Sequence, residues 1–376
     1  MRVSCKQENL ARGLNVVGRA VSTRSTLPVL ANVLLATDQD RLKLSATNLE
    51  IVITCWIDDE VRIEDEGATT VPARTFNDLI SALPQEEVHL SLEEESETLH
   101  VSCARTQADV KGISAEEFPL VPEPGEEERI KVEADTMKRM IQQVTFAAAT
   151  DDARPTLTGI YTHFEGDTLT MAATDGFRLS QRTAQFPGYV EKARTVIVPA
   201  RALDELARVM GDDTEQVHVI MPEGRNQIIF DLGEIVLVSQ LIDGNFPDFT
   251  SVVPKGHKTR TVLNTASFLK ACKTADIFAR EASHTARVII EEGQPGSATI
   301  TATSTETGSN EAVVDADVEG EGVELNFNVK YLTDVLSVVG TPQVALETTS
   351  SVEPGVVKSV GSDDFLHIIM PMQFGR

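Results

Sequence analysis

The chain has 376 residues, enough for two or three domains with separate cores, and 41% of them are hydrophobic, as in soluble globular proteins. No apolar run reaches the roughly 18 residues of a membrane span, and no signal-peptide core follows Met1, so these patterns argue against a membrane partner. We expect a cytoplasmic protein with reduced thiols at Cys5, Cys55, Cys103 and Cys272, because they form neither a C-x-x-C pair nor a disulfide framework.

The formal net charge of −25 argues against a nucleic-acid partner, because phosphate binding needs clustered Lys and Arg. The distribution of charge gives a different indication. Six helix-like segments carry thirteen basic and seven acidic residues, a net charge of +6, which leaves −31 on the rest of the chain. These segments are 5–24, 72–83, 134–149, 199–210, 265–280 and 328–340. Charge alone leaves two interpretations open, a basic helical face or a solvated acidic surface with ordinary helices.

The first third alternates between helix and strand patterns. A strand over Arg2–Cys5 precedes a helix over Glu8–Ala20, whose apolar residues recur at the 3–4 spacing of one helical face. A second helix begins at Pro72 and ends near Pro84, with proline at an early helical position. Period-two alternation predicts the strands Val29–Ala36, Lys43–Thr47, Glu50–Ile57, Thr69–Val71, Val88–Leu92, Thr98–Cys103 and Gln107–Gly112.

The other two thirds repeat this order. Helices are predicted at Thr136–Ala149, from Pro199, at Ala266–Ala279 and at Tyr331–Val339. The predicted strands are Ile160–Phe164, Thr168–Thr174, Arg178–Gln185, Gln216–Met221, Gln227–Leu232, Glu234–Gln240, Val288–Glu291, Ala298–Thr303, Glu311–Ala316 and Phe365–Met370.

One segment shows that the chain is an internal repeat. Val71–Leu79 reappears as Val198–Leu206 and, more diverged, as Phe327–Leu336. Several other landmarks keep the same period of about 128 residues, which predicts three tandem copies of one α+β unit. We expect domains at residues 1–124, 125–253 and 254–376, each with two helices on antiparallel sheets.

Three such units in a row would form a curved array with unpaired edge strands at its two ends. A second chain in a head-to-tail arrangement removes both edges by closing a ring. If the helices line the inner surface, a positive bore can hold the DNA backbone without reading the bases.

The motifs that carry a resemblance occur in all three units. They are Arg24–Leu30, Thr69–Arg74, Ala173–Leu179, Val196–Pro199, Asp243–Asp248 and Met370–Met372. With these motifs in register, the chain resembles the bacterial sliding clamp family, the beta subunit of the replicative DNA polymerase III holoenzyme.

The resemblance implies a fold and a function. The fold is α+β, with three DNA-clamp domains per chain that close with a second chain into a pseudo-sixfold ring. The function is that of a non-catalytic processivity factor without cofactor or metal, a homodimer that encircles duplex DNA. Its partners would be the DNA polymerase, a clamp loader and repair proteins, which bind through short peptide motifs.

The resemblance also implies three groups of site residues. DNA-binding residues would be Arg24, Arg74, Arg154 and Arg201, and dimer-interface residues Val110, Ile277 and Phe278. A pocket for partner peptides would be lined by Leu157, Thr174, Gly176, Arg178, Leu179, Pro247, Val252, Tyr331, Met370, Pro371 and Met372. Apolar side chains with flexible methionines suit an adaptable peptide groove, although each could equally be a core residue.

The two rival functions are those of an enzyme and of a peptide-binding scaffold. An enzyme is disfavoured because the chain has no phosphate-binding loop, no H-E-x-x-H and no G-x-S-x-G motif, and its seven histidines are scattered. A cytoplasmic repeat scaffold that binds peptides without DNA remains the alternative. A topological clamp stays on closed circular DNA and slides off free ends, whereas a scaffold does not respond to DNA ends.

Overall fold

Six α-helices occur in the described residues, two in each predicted domain. The structure is a computed structural model that describes residues 1–22, 27–122, 125, 127–151 and 153–372. The helices are α1 Gln7–Val17, α2 Ala73–Ala82, α3 Ala134–Val144, α4 Ala200–Val209, α5 Thr265–Ala279 and α6 Val329–Val338. All six were predicted, but α1 and α3 end earlier than expected, because 3₁₀ turns follow them at Gly18–Ala20 and Thr145–Ala147. None of these helices has the length and apolar character needed to cross a membrane.

The repeated segments begin their helices in a similar way. Pro72 precedes α2 as its N-cap residue with φ −55°, and Pro199 ends the strand before α4. Each proline therefore lies just before the helix and not inside it. In the third copy, the side chain of Asn328 caps α6 by accepting a hydrogen bond from the Lys330 N–H at 3.0 Å.

The strands follow the predicted order, with several additions. In the first third they are β1 Arg2–Lys6, β2 Asn32–Asp38, β3 Arg41–Thr47, β4 Ile51–Ile57, β5 Arg62–Asp65, β6 Ala68–Pro72, β7 Glu87–Glu93, β8 Thr98–Cys103 and β9 Thr106–Lys111. In the middle third they are β10 Arg129–Glu133, β11 Gly159–Thr174, β12 Arg178–Pro199, β13 Gln216–Ile220, β14 Gln227–Asp231 and β15 Ile235–Gln240. In the last third they are β16 Thr259–Asn264, β17 Thr285–Glu291, β18 Gly296–Ser304, β19 Gly308–Glu319, β20 Val323–Asn328, β21 Gln343–Thr348, β22 Gly355–Ser359 and β23 Phe365–Ile369. No range was predicted for β5, β10, β16, β20, β21 or β22. Strand β5 is short and mostly exposed and therefore lacks an alternating pattern.

The chain forms two compact units, residues 1–134 with 205–241 and residues 135–204 with 242–376. The first unit holds a five-stranded sheet, β5-β1-β7-β8-β9, and an eight-stranded sheet, β10-β13-β14-β15-β4-β3-β2-β6. Helix α1 buries Leu10, Leu14 and Val17 and packs against β4 and α2. The spacing also predicted Val21 on this face, but Val21 follows the 3₁₀ turn after α1 and is half-buried. Helix α2 adds Phe76 and Ile80 to this core.

The second unit holds a ten-stranded sheet, β11-β12-β23-β22-β21-β16-β19-β18-β17-β20. Its largest core cluster lies where α5 and α6 pack on this sheet, around the fully buried Phe268, Phe327 and Phe365. Strand β23 contributes Phe365 and Ile369 to this cluster, and this packing fixes its position against α5, α6 and the rest of the sheet.

Both long sheets continue across predicted domain boundaries. Strand β15 pairs with β4, and β12 pairs with β23. Because of these pairings, one part of the middle third belongs to the first compact unit and the other part to the second. The division into domains 1–124, 125–253 and 254–376 stays a prediction.

Candidate functional site

An apolar cleft of about 200 Å³ lies in the second unit, beside the turn between β11 and β12. Eight of the eleven predicted pocket residues line it: Leu157, Thr174, Gly176, Arg178, Leu179, Pro247, Val252 and Met370. Four further lining residues were not predicted: Phe177, Asp248, Phe249 and Ile368. Each of them lies one or two positions from a predicted residue, and this closeness in sequence was the only signal available for them.

The first wall of the cleft is the β11–β12 turn. The Asp175 Oδ1 accepts hydrogen bonds from the backbone N–H groups of Phe177 at 2.9 Å and Arg178 at 3.0 Å. Gly176 has φ +93°, a backbone conformation that favours glycine. The turn therefore holds Phe177 with 62% of its surface exposed at the mouth of the cleft.

Arg178 forms the floor. Its Nε lies 3.0 Å from Asp175 Oδ2, its Nη1 lies 2.6 Å from Asp334 Oδ2, and its Nη2 donates to the Phe146 carbonyl at 2.7 Å. The guanidinium also lies 4.3 Å from the ring centroid of Tyr331. Only 11% of the Arg178 side chain is exposed, so its charge is compensated inside the protein by two carboxylates.

Three predicted pocket residues do not line the cleft. Tyr331 lies behind it, stacked on Arg178. Pro371 and Met372 follow Met370, whose N–H donates to the Phe177 carbonyl at 2.9 Å. The Met372 N–H donates to the Asn326 carbonyl at 2.7 Å, which ties the C-terminal segment to β20.

The second wall is the segment that ends in the 3₁₀ turn Thr250–Val252. The Asp248 carboxylate accepts hydrogen bonds from the Thr250 hydroxyl at 2.6 Å and the Thr250 N–H at 3.0 Å. These hydrogen bonds lower the pKa of Asp248 from its ordinary value, because they stabilise the ionised form. Val252 remains 48% exposed, so this wall offers an apolar side chain to a ligand.

His367 lies under the cleft on β23 and is completely buried. Its ring centroid is 5.2 Å from that of Phe146, and neither ring nitrogen has a hydrogen-bond partner among the described residues. Burial, and secondarily the charge of Arg178, lowers the pKa of His367 to about 3.

The buried His367 leads to a pH prediction. The unfolded chain takes up a proton near pH 6.5 and the folded chain only near pH 3, so the free energy of unfolding falls with decreasing pH in this window. We expect a loss of about 3 kcal/mol between pH 6.5 and pH 4 from this group, at about 1.4 kcal/mol per pH unit. Urea unfolding at several pH values measures it. The His367→Leu variant should lack this part of the slope, and an unchanged slope would contradict the assignment.

Comparison with known proteins places the whole chain in one family. Its sequence matches the N-terminal domain of the DNA polymerase III beta subunit over residues 1–122, the central domain over 131–248 and the C-terminal domain over 250–373. The chain belongs to the family of the DNA polymerase III beta subunit. It is 30% identical to the beta sliding clamp of Staphylococcus aureus, with 99% of each chain covered.

Solved structures of beta subunits share the fold. The DNA polymerase sliding clamp from Bacillus subtilis has a TM-score of 0.94 at 28% identity, with 100% of each chain covered. The sliding clamp from Pseudomonas aeruginosa has a TM-score of 0.89 at 31% identity, again with 100% of each chain covered. The predicted family resemblance and the predicted mixed α+β clamp fold are thus confirmed.

The DNA-binding residues predicted for this beta-subunit chain lie in different environments. Arg74 and Arg201 are exposed in the first turns of α2 and α4. Arg24 lies outside the described residues. Arg154 lies beside Gly176 of the cleft, so close that a Cβ atom at position 176 would be 2.9 Å from the Arg154 Nη1. The Arg154 Nη2 is 3.3 Å from Asp151 Oδ2. Their contact with DNA stays a prediction.

The predicted interface residues are also spread over different surroundings. Val110 is buried on β9, which is an edge strand of the five-stranded sheet. Ile277 on α5 is 57% exposed, and Phe278 is half-buried against the core cluster of the second unit. Ile277 is therefore the member of this group that a second chain could cover.

The observed helix boundaries change the predicted distribution of charge. The six described helices carry nine basic and seven acidic side chains, a net charge of +2. The expected +6 was too high because Lys6, Arg19 and Arg280 lie outside the helices, and Arg24 lies outside the described residues. Three helical carboxylates are also paired with nearby cations: Glu205 with Arg208 and Arg19, Asp276 with Arg280, and Asp334 with Arg178.

Proposed function

We propose that this chain is a processivity factor, a non-catalytic clamp that encircles duplex DNA as a head-to-tail homodimer and tethers the replicative polymerase. Membership of the beta-subunit family over the whole chain is the observation that carries the proposal. The rival scaffold without DNA has no comparable support, because it rests on the fold alone.

The charges of the helices support a bore that binds DNA without base recognition. Eight helical cations are exposed: Arg12, Arg74, Arg139, Arg201, Arg208, Lys270, Lys273 and Lys330. Arg208 is paired with Glu205, and the other seven contribute to the net helical charge of +2. Contacts of this kind bind phosphates of any sequence and weaken as salt rises.

Free strand edges support ring closure by a second chain. Strand β9 pairs with β8 only, among the described strands. Strand β19 pairs with β16 only at 316–319, so its first half has one free edge, where Val313 is 62% exposed. We propose that β9 of one chain pairs with the first half of β19 of the other, close to Ile277. Such pairing would remove both edges.

The apolar cleft supports the tethering of partners. Leucine, valine, proline, phenylalanine and methionine side chains surround a small space with few polar groups, which suits apolar anchors of short peptides. We propose that the polymerase, the clamp loader and repair proteins compete for this cleft. We assign Arg154 to its rim, since its guanidinium covers Gly176.

A DNA-retention experiment tests the proposal. Protein loaded on a nicked circular plasmid by the clamp loader and ATP should remain bound through gel filtration and be released when a restriction enzyme cuts the circle. Equal retention on circular and linear DNA would contradict a topological clamp and favour another binding mode.

The arginines on the helices provide a second prediction. Arg74→Glu with Arg201→Glu should lower the dependence of log K on log salt by about 2, because each lost phosphate contact removes about 1 from the slope. Fluorescence titration with a duplex oligonucleotide measures this slope. The control is Arg62→Glu, an exposed arginine on strand β5, which should leave the slope unchanged. Equal effects of both changes would disprove the assignment.

A further inference from the structure

A second cleft, of about 470 Å³, adjoins the first one in the same unit. It is lined by residues 251–258, Thr349, Glu353 and Pro354, and we call it the basic cleft. Val252 lines both clefts, so a chain that fills the apolar cleft could continue into the basic one past this side chain.

Hydrogen bonds hold the basic cleft in shape. The Lys258 N–H donates to the Thr348 carbonyl at 2.9 Å. On the other side, the Thr349 hydroxyl donates to the Gly256 carbonyl at 3.3 Å. Both bonds fix the segment 251–258 against the end of β21, so little ordering is needed when a ligand binds.

The charge of the basic cleft is opposite to that of the chain. Lys255 and Lys258 are exposed, and neither has an ion-pair partner in the part of the chain that the structure describes. Glu353 is the acidic residue in the lining. A local surplus of positive charge on a chain with a net charge of −25 creates a short-range site for an anionic group.

The buried carboxylate of Glu347, which contacts His257 of the basic cleft, is already compensated by other cations. The Glu347 side chain is 11% exposed, and its Oε2 lies 2.7 Å from Lys358 Nζ and 3.5 Å from His257 Nδ1. Its Oε1 lies 3.7 Å from Arg260 Nε. Two permanent cations already compensate this single negative charge, which leaves the cluster positive by one charge even with His257 neutral.

We propose that the basic cleft binds acidic residues of a partner protein, directly adjacent to the apolar anchor that occupies the first cleft. The proposal deepens the proposed tethering function and rests on it. The continuity at Val252 and the charge of Lys255 and Lys258 determine the kind of occupant, a short peptide segment with Asp or Glu beside its hydrophobic residues.

A peptide fits these observations better than DNA does. An apolar anchor in the first cleft already holds the partner next to the lysines, so a few negative charges are enough to bind the basic cleft. A long polyanion would also come close to acidic side chains on the rest of the chain and be repelled there, because charges closer than about 8 Å are only partly screened at physiological salt. The basic cleft thus favours few negative charges placed close to the anchor.

Four labelled synthetic peptides test the proposal with the full-length protein. All carry one anchor of two leucines and a phenylalanine, chosen for the apolar lining. The anchor is flanked by serines in the first peptide, by three glutamates after it in the second, by three glutamates before it in the third, and by three lysines after it in the fourth. Fluorescence anisotropy at low and high salt gives each Kd.

We expect the glutamate peptide whose charges reach the basic cleft to bind about 3- to 10-fold tighter than the serine peptide at low salt, as two exposed ion pairs permit. Lys255→Glu with Lys258→Glu should abolish this gain, leave the serine peptide unaffected and favour the lysine peptide. The control is Lys192→Glu with Lys131→Glu, two exposed lysines elsewhere on the chain, which should preserve the gain.

The outcomes separate two failures. If the serine peptide does not bind the unaltered protein, the proposed function of the apolar cleft fails. If it binds and neither glutamate peptide gains affinity, only the basic cleft is refuted. If the Lys255→Glu and Lys258→Glu changes instead reduce retention on circular DNA without changing peptide preference, the lysines belong to DNA binding and the proposal is overturned.

Discussion

Substituting Arg178 by leucine is expected to lower the free energy of unfolding of the second unit by about 3 kcal/mol or more. The change removes three side-chain hydrogen bonds and leaves the carboxylates of Asp175 and Asp334 near each other without the cation between them. Urea unfolding followed by far-UV circular dichroism measures the effect. Tryptophan fluorescence is unsuitable, because the single tryptophan, Trp56, lies in the first unit.

Two further variants isolate the cause. Arg178→Lys keeps the positive charge but cannot reach three partners at once, so it should recover only part of the loss. Combining Arg178→Leu with Asp334→Leu should cost less than the sum of the single changes, with a coupling energy of about 0.5–3 kcal/mol. Additive effects would show that the ion pair does not stabilise the unit.

The matched control for Arg178 is a change on the cleft wall. Val252 is 48% exposed, so Val252→Asp should change the free energy of unfolding by no more than about 0.5 kcal/mol. It places a charge where an apolar anchor would bind, and we expect at least a 10-fold loss of peptide affinity. Stable protein that still binds the peptide would refute the cleft as the tethering site.

Substituting Ile277 by aspartate is expected to convert the dimer into monomers. A buried apolar contact at the centre of an interface contributes about 2 kcal/mol or more. A head-to-tail dimeric ring has two identical junctions, so the loss counts twice, about 4 kcal/mol or roughly a 1000-fold weaker dimer. Light scattering over a range of concentrations measures the mass, and retention on circular DNA should disappear with the dimer.

Val352→Asp is the control for Ile277. Val352 is 65% exposed in the same unit and lies outside the proposed junction, so this variant should keep the dimer mass and DNA retention. Phe278 is less suitable for the test, because it packs against the core cluster and its loss would also affect folding. A dimer that survives Ile277→Asp would place the junction elsewhere.

All six helices could be predicted because the spacing of apolar residues that indicates a helix is a local pattern, and the repeat shows the same pattern in each copy. Apolar spacing predicted Leu10, Leu14 and Val17 on the buried face of α1, together with Val21, which lies beyond the helix. The copies of one segment placed α2, α4 and α6. Exact boundaries were less accessible, since the 3₁₀ turns after α1 and α3 continue a helical pattern. Those boundaries reduced the helical charge from the expected +6 to +2.

The residues of the apolar cleft were predicted less completely than the helices. The resemblance brought Leu157, Thr174 and Met370 into one group, but it gave no reason to include Phe177, Phe249 or Ile368. It also predicted Arg154 as a DNA-binding residue, which stays a prediction, and it did not indicate that the guanidinium lies beside Gly176. Side chains on different strands and turns meet only after the chain has folded.

The sequence by itself determined the threefold repeat, the helices and most strands, and the family, because periodicity and motifs are written in neighbouring residues. The tertiary structure alone decided which sheets cross the predicted domain boundaries and which side chains share a cleft. The pairing of β12 with β23 joins residues that are far apart in the sequence, such as Arg178 and Ile369, and the ring of Tyr331 packs on the guanidinium of Arg178. Such contacts depend on strand pairing and packing between distant segments, and no local pattern encodes them.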